Sequence, residues 1–176
     1  MKTIPLAFAL FLVSCASNNH KPAEPQESVA RAAAEIHSPD NTVSGLVTIQ
    51  NLEEEIKFKV LVKGLKPNSK HGFHIHQNGV CEGPDYKSAG DHLNPYDQPH
   101  GAPMDKKSHL GDLGNLEANK NGVAEKEISI PKHDGDAMEK ILGKAFIIHA
   151  GKDDLKSQPS GDAGSRIACG IIQPSL

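Results

Sequence analysis

Strand-like alternation of apolar and polar residues begins at about residue 42 and recurs in short segments: Thr42–Gln50, Glu55–Lys63 and His71–Gln77. The first two suit a hairpin, with Glu53–Glu55 as a solvated, like-charged turn. Gly64-Leu65-Lys66-Pro67-Asn68 supplies turn chemistry before the third. Residues 78–110 carry little strand signal and read as one long ordered loop, a kind that is commonly functional. Asn115–Ala118 and Gly122–Ile130 flank Asn119-Lys120-Asn121-Gly122, whose Asn-Gly step favours a tight hairpin turn. Gly143–Ala150 contains the apolar run Ala145-Phe146-Ile147-Ile148, which delivers His149 at its end. A second loop, Gly151–Gly164, precedes the terminal segment Arg166–Ile172. The pattern predicts an all-β domain with two long loops.

Upstream the pattern changes. Lys2 precedes an apolar run from Ile4 to Val13, too short to span a bilayer as a stable helix, and the run ends in Leu12-Val13-Ser14-Cys15. This resembles a bacterial lipoprotein signal, which implies removal of residues 1–14 and a diacylglyceryl group on Cys15. An ordinary secretory signal with an incidental cysteine is the alternative, and both send the chain out of the cytoplasm. Residues 15–41, rich in Ala, Ser, Asn, Pro and Glu, read as a flexible tether with His20 and His37 solvated, leaving 42–176 as the domain. Ala16 is not the acidic residue associated with inner-membrane retention, which favours the outer membrane. The expected location is periplasmic, with membrane contact only through the N-terminal lipid.

Composition narrows the class further. A chain of 176 residues suits one domain with appendages, and 16 Gly, 12 Pro, no Trp and 4% aromatics fit short strands and ordered loops better than a helical bundle. The formal charge of −3, with no glycine-rich phosphate loop and no long basic stripe, argues against nucleic acid as a partner. If Cys15 carries lipid, Cys81 and Cys169 remain as a pair in a compartment where disulfides persist. A bridge is the natural inference, worth roughly 4 to 5 kcal/mol in the chain-entropy model. Two free thiols serving as soft metal ligands are the alternative, although neither has a cysteine neighbour in sequence.

The candidate chemistry starts at His71-Gly72-Phe73-His74-Ile75-His76. In a strand, side chains two apart share a face, so His74 and His76 reach one ion while Phe73 and Ile75 face a core. His92, His100, His109, Asp112 and His149 continue the series, and together these residues look like one bimetallic site.

The domain closely resembles the copper/zinc superoxide dismutase family in its bacterial exported form, over about residues 42–173. The resemblance is carried by Gly72-Phe73-His74-Ile75-His76, Ala89-Gly90-Asp91-His92-Leu93-Asn94-Pro95, His109-Leu110-Gly111-Asp112-Leu113-Gly114-Asn115, His149-Ala150-Gly151 and Gly164-Ser165-Arg166-Ile167-Ala168-Cys169-Gly170. It implies a flattened, eight-stranded Greek-key β-barrel, an architecture with which this enzyme is associated as a general example. It also implies copper ligands His74, His76, His92 and His149, and zinc ligands His92, His100, His109 and Asp112, with His92 bridging through its two ring nitrogens. His71 matches a position that supports strand and loops by hydrogen bonding. Asp153 matches an aspartate linking a copper-ligand histidine to a zinc-ligand histidine, and Arg166 matches the guanidinium beside copper. His133, among Lys132, Asp134 and Asp136, is expected to face solvent.

The implied activity is conversion of superoxide to dioxygen and hydrogen peroxide by alternating Cu(II)/Cu(I) redox, with His92 also a proton donor. Cys81 and His92 lie farther apart than in eukaryotic members, and Asp91 puts a negative charge beside the bridge. The Gly151–Gly164 loop is shorter than the eukaryotic guiding loop and lacks its charged motif, leaving Lys152 and Lys156 as candidate substitutes, so the resemblance does not carry over the family's steering residues. The main alternative is an exported copper/zinc-buffering lipoprotein without turnover; a copper-delivery module on the same barrel is a second. The sequence leaves the oligomeric state open and admits a homodimer.

Overall fold

The computed structural model describes residues 30–103, 105, 107–132 and 137–175. The signal segment 1–14, Cys15, His20, the tether up to residue 29, and His133 lie outside the described residues.

Eight strands carry the fold: β1 (Arg31–His37), β2 (Ser44–Asn51), β3 (Glu55–Lys63), β4 (Lys70–His76), β5 (Asp112–Glu117), β6 (Ala124–Pro131), β7 (Ala145–His149) and β8 (Arg166–Ile171). A two-residue β9 (Gln173–Pro174) pairs with β1, and a short helix, α1 (Ala137–Ile141), precedes β7. The ladder runs β5-β4-β7-β8-β1-β2-β3-β6 and is antiparallel throughout. Its end strands, β5 and β6, lie side by side and nearly close a barrel. The expected all-β, eight-stranded architecture is present.

Strand periodicity places the core. On β3, Ile56, Phe58, Val60 and Val62 are buried while Lys59, Leu61 and Lys63 face out. On β4, Phe73 and Ile75 point inward, where Phe73 stacks on Phe146 at 5.1 Å and Phe58 meets Phe146 edge-on at 6.0 Å. Such pairs add about 0.5–1.5 kcal/mol each beyond the apolar area they bury. Ala137, Met138 and Ile141 of α1 join the same cluster.

Two expectations need correction. The segment 15–41 is not a tether throughout, because Arg31–His37 forms β1 in full register with β2 and buries Ala32, Ala34 and Ile36. Three of its residues are alanines, whose small apolar area and low β-propensity hide the alternation. His37 is exposed, as expected, but on a strand.

The turn at Asn119–Gly122 does form, with Asn119 N–H donating to Val123 O at 2.9 Å, yet β5 and β6 splay instead of pairing. Each is hydrogen-bonded along its other edge, β5 to β4 and β6 to β3. The turn backbone bonds instead to the 64–69 segment, through Leu65 N–H to Gly122 O and Asn68 N–H to Asn119 O.

Candidate metal centre

β4 presents His74 and His76 on the face opposite Phe73 and Ile75, and both are fully covered by loops. His92 reaches them from the long loop through an isolated bridge to His76, and His149 arrives at the end of β7. Register shifts between Gly72 and His74, and between Ile148 and His149, fall at the ligand-bearing ends, where a bulge re-aims side chains. His100 and His109 come from the same long loop, and Asp112 opens β5.

These residues form two donor sets. The side-chain donor atoms of His74, His76, His92 and His149 lie within 4.8 Å of one another, as do those of His92, His100, His109 and Asp112. His92 belongs to both. In the second set, Asp112 Oδ1 lies 2.9 Å from His92 Nδ1, 2.9 Å from His100 Nδ1 and 3.2 Å from His109 Nδ1. A tetrahedral zinc site with bonds of about 2.0–2.1 Å has edges of roughly 3.3 Å, so the donors already stand near that spacing.

In the first set, His74 Nδ1, His76 Nε2, His92 Nε2 and His149 Nε2 are buried without a hydrogen-bond partner, an arrangement that is rare unless a ligand is to be bound. Their opposite nitrogens are held: His76 Nδ1 by Gly90 O at 2.8 Å, His149 Nδ1 by Gly164 O at 3.0 Å, and His74 Nε2 by Asp153 Oδ2 at 2.8 Å. A fixed outer nitrogen sets the tautomer and frees the inner one as a donor to metal. The residues therefore fit two ions.

Electrostatics divides the sets. Burial, reinforced by the Arg166 charge, pushes His76 down to about 2, and burial with the same guanidinium lowers His149 to about 3. Burial also lowers His92 to about 4, against the pull of Asp112. These rings stay neutral, the form that ligates. His100 goes the other way: burial opposes its charge, but bonds to Asp112 and Asp153 raise it to about 9. Burial would raise Asp112 as well, yet His100, His109, His92 and the Gly101 N–H hold it far below the usual carboxylate range.

Around the donors, Asp153 is fully buried and accepts from His74 on one oxygen and from His100, at 3.0 Å, on the other, so its carboxylate spans the two donor sets. At Gly161 a Cβ would collide with the Asp153 carboxylate and come within 2.6 Å of His100 Nε2, and the backbone is left-handed, so glycine is required. His71 stays out of both sets, its Nδ1 on His149 O at 2.8 Å and its Nε2 on Ser69 Oγ at 2.7 Å.

Arg166 donates through Nη1 to Tyr86 O at 2.7 Å and through Nη2 to Gly90 O at 2.6 Å. It lines a cavity of about 440 Å³ together with His76, His92, His149 and Asp91. Lys152 and Lys156 are not among the described residues of that lining. Cys81 and Cys169 form a disulfide, Cα–Cα 5.7 Å, fastening the long loop to β8.

Several supports were not singled out in the sequence. Gln158 clamps His100 by accepting its N–H and donating to its O, and Asn115 grips the Asp153 backbone. Gln158 carries no sequence signal, whereas Asn115 sits inside a motif already noted.

Comparison with known proteins agrees with this geometry. The family profile described as copper/zinc superoxide dismutase (SODC) matches residues 43–172. Superoxide dismutase [Cu-Zn] 2 of Aquifex aeolicus (strain VF5) is 36% identical over 148 residues, covering 81% of this chain and 86% of its own. The extracellular superoxide dismutase [Cu-Zn] of Brugia pahangi is 37% identical over 152 residues, covering 81% and 75%. A crystal structure of a double mutant of a SOD-like protein from Bacillus subtilis superimposes with a TM-score of 0.68 at 35% identity, covering 78% of this chain and 94% of that one. With the profile spanning most of the chain, and the shared fold and donor sets beside it, the chain belongs to the copper/zinc superoxide dismutase family.

Proposed function

We propose that the chain is a superoxide dismutase in which His74, His76, His92 and His149 hold copper and His92, His100, His109 and Asp112 hold zinc. Copper supplies the alternating one-electron chemistry by which two superoxide ions and two protons become dioxygen and hydrogen peroxide, while zinc, which has no redox chemistry, supplies charge and structure. The residues do the rest. Arg166, fixed by two backbone carbonyls, offers a permanent positive charge and a donor fork to a small anion entering beside His76, His92 and His149. His92 holds or gives up a proton at Nε2, the nitrogen facing the copper set, while Nδ1 stays with Asp112 and the zinc set. Asp153 fixes the ring planes on both sides.

The observation that carries this reading is the shared His92 beneath a cavity lined by Arg166. Metal buffering requires neither a ligand common to two sets nor an anion-receiving cation. The test is superoxide decay after a pulse, with the protein metal-free, zinc-loaded, and loaded with both metals. Fast decay with peroxide formation only when copper is present supports the reading, and tight metal binding without decay supports the buffering alternative.

We further propose export and lipid anchoring at Cys15, supported by the Lys2 to Cys15 pattern and by a disulfide of the kind that persists outside the cytoplasm. Cys15→Ser is expected to move the protein from the membrane to the soluble fraction. Equal membrane association of both forms would refute anchoring.

A further inference from the structure

Asn115 on β5 stands between the open seam of the barrel and the metal centre. Its side chain grips the Asp153 backbone at two points: Nδ2 donates to Asp153 O at 2.9 Å, and Asp153 N–H donates to Oδ1 at 2.8 Å. Asp153 in turn orients His74 and His100. The carbonyl of Asn115 turns the other way and accepts from Lys126 Nζ on β6 at 2.7 Å.

β5 and β6 end the ladder and share no register, so along this edge of β5 the carbonyls have no strand partner on β6. Lys126 takes the place of a ladder bond with a charged donor, the stronger kind. It is half-buried, so its ammonium reaches Asn115 O from a partly desolvated position, and burial lowers its pKa despite Glu117 nearby.

We propose that Lys126 is a positioning residue for the metal centre: by tying β6 to β5 across the open seam it fixes Asn115, and through Asn115 the carboxylate that aims His74 and His100. The proposal rests on the metal assignment above for its consequence, but not for the strut itself. Removing a direct partner of a metal ligand costs about 10–100-fold in affinity, so a strut two links further out, acting through Asn115 on Asp153, is expected to cost about three- to tenfold.

Two measurements on the full chain test it. Lys126→Met keeps the apolar stem and removes the donor, Lys126→Arg restores a donor, and the exposed Lys59→Met is the control. Zinc affinity by chelator competition should fall about three- to tenfold in Lys126→Met, recover in Lys126→Arg and stay unchanged in Lys59→Met. Hydrogen exchange of the Asp153 amide in the metal-free chain should speed up in Lys126→Met alone. Equal exchange in Lys126→Met and the unsubstituted chain overturns the strut, as does equal loss of zinc in Lys126→Met and Lys126→Arg. If the unsubstituted chain binds no zinc, the metal assignment fails while amide exchange still decides the strut.

Discussion

Asp153→Asn removes one charge and almost no volume from a side chain with no solvent exposure. The carboxylate accepts from His74 Nε2 at 2.8 Å and from His100 Nε2 at 3.0 Å, and Leu155 N–H also donates to Oδ1 at 2.7 Å. An amide offers one carbonyl and one NH2, so whichever way it sits, one imidazole N–H meets another donor. An unsatisfied buried donor costs about 1–3 kcal/mol, and the surviving bond falls from charge-assisted to neutral, about 1 kcal/mol more. The total, about 2–4 kcal/mol, corresponds to roughly 30- to 1,000-fold in the product of the two metal affinities. The Asn115 grip uses only the Asp153 backbone, so the loop itself stays in place. Competition titrations with chelators for each metal measure the product directly. A product within threefold of the unsubstituted chain would refute the idea that this carboxylate organises both sites.

Arg166→Ala should slow superoxide decay by about tenfold or more while sparing metal content, and should flatten its dependence on ionic strength; lost metal instead would mark a structural role. Asp91 shares the cavity with Arg166, so Asp91→Asn should raise turnover a few-fold at low salt, with the difference vanishing at high salt; identical rates at low salt would show that its charge does not reach the anion's path. Metal-free protein should be most stable near pH 6.5. His100, raised to about 9, contributes stability below its unfolded value that is lost as pH rises through 9. His76, His92 and His149 are lowered to between about 2 and 4, so the unfolded chain takes up protons first as pH falls below about 6.5, and stability drops. Urea unfolding at several pH values checks this, and rising stability from pH 6.5 to 9 would contradict the His100 assignment.

The strands with large apolar residues on alternate positions, β3 and β4 above all, were legible because burial there needs a two-residue period. β1 was not, since Ala32, Ala34 and Ile36 give a weak version of the same signal and only pairing with β2 and β8 makes it a strand. The donor residues stood out by type and order, yet which nitrogen of each ring is free depends on partners such as Gly90 O and Gly164 O, and backbone carbonyls have no signature in sequence.

The claim on which the rest depends is that one imidazole, His92, joins two metals. It is tested most directly by loading copper in its own site and paramagnetic cobalt(II) in place of zinc, then recording the copper EPR signal. A shared imidazolate couples the two ions, and the account predicts that the signal is lost in the protein and returns in His92→Ala. A copper signal at full intensity in the unsubstituted protein, with both metals shown to be bound, would contradict it.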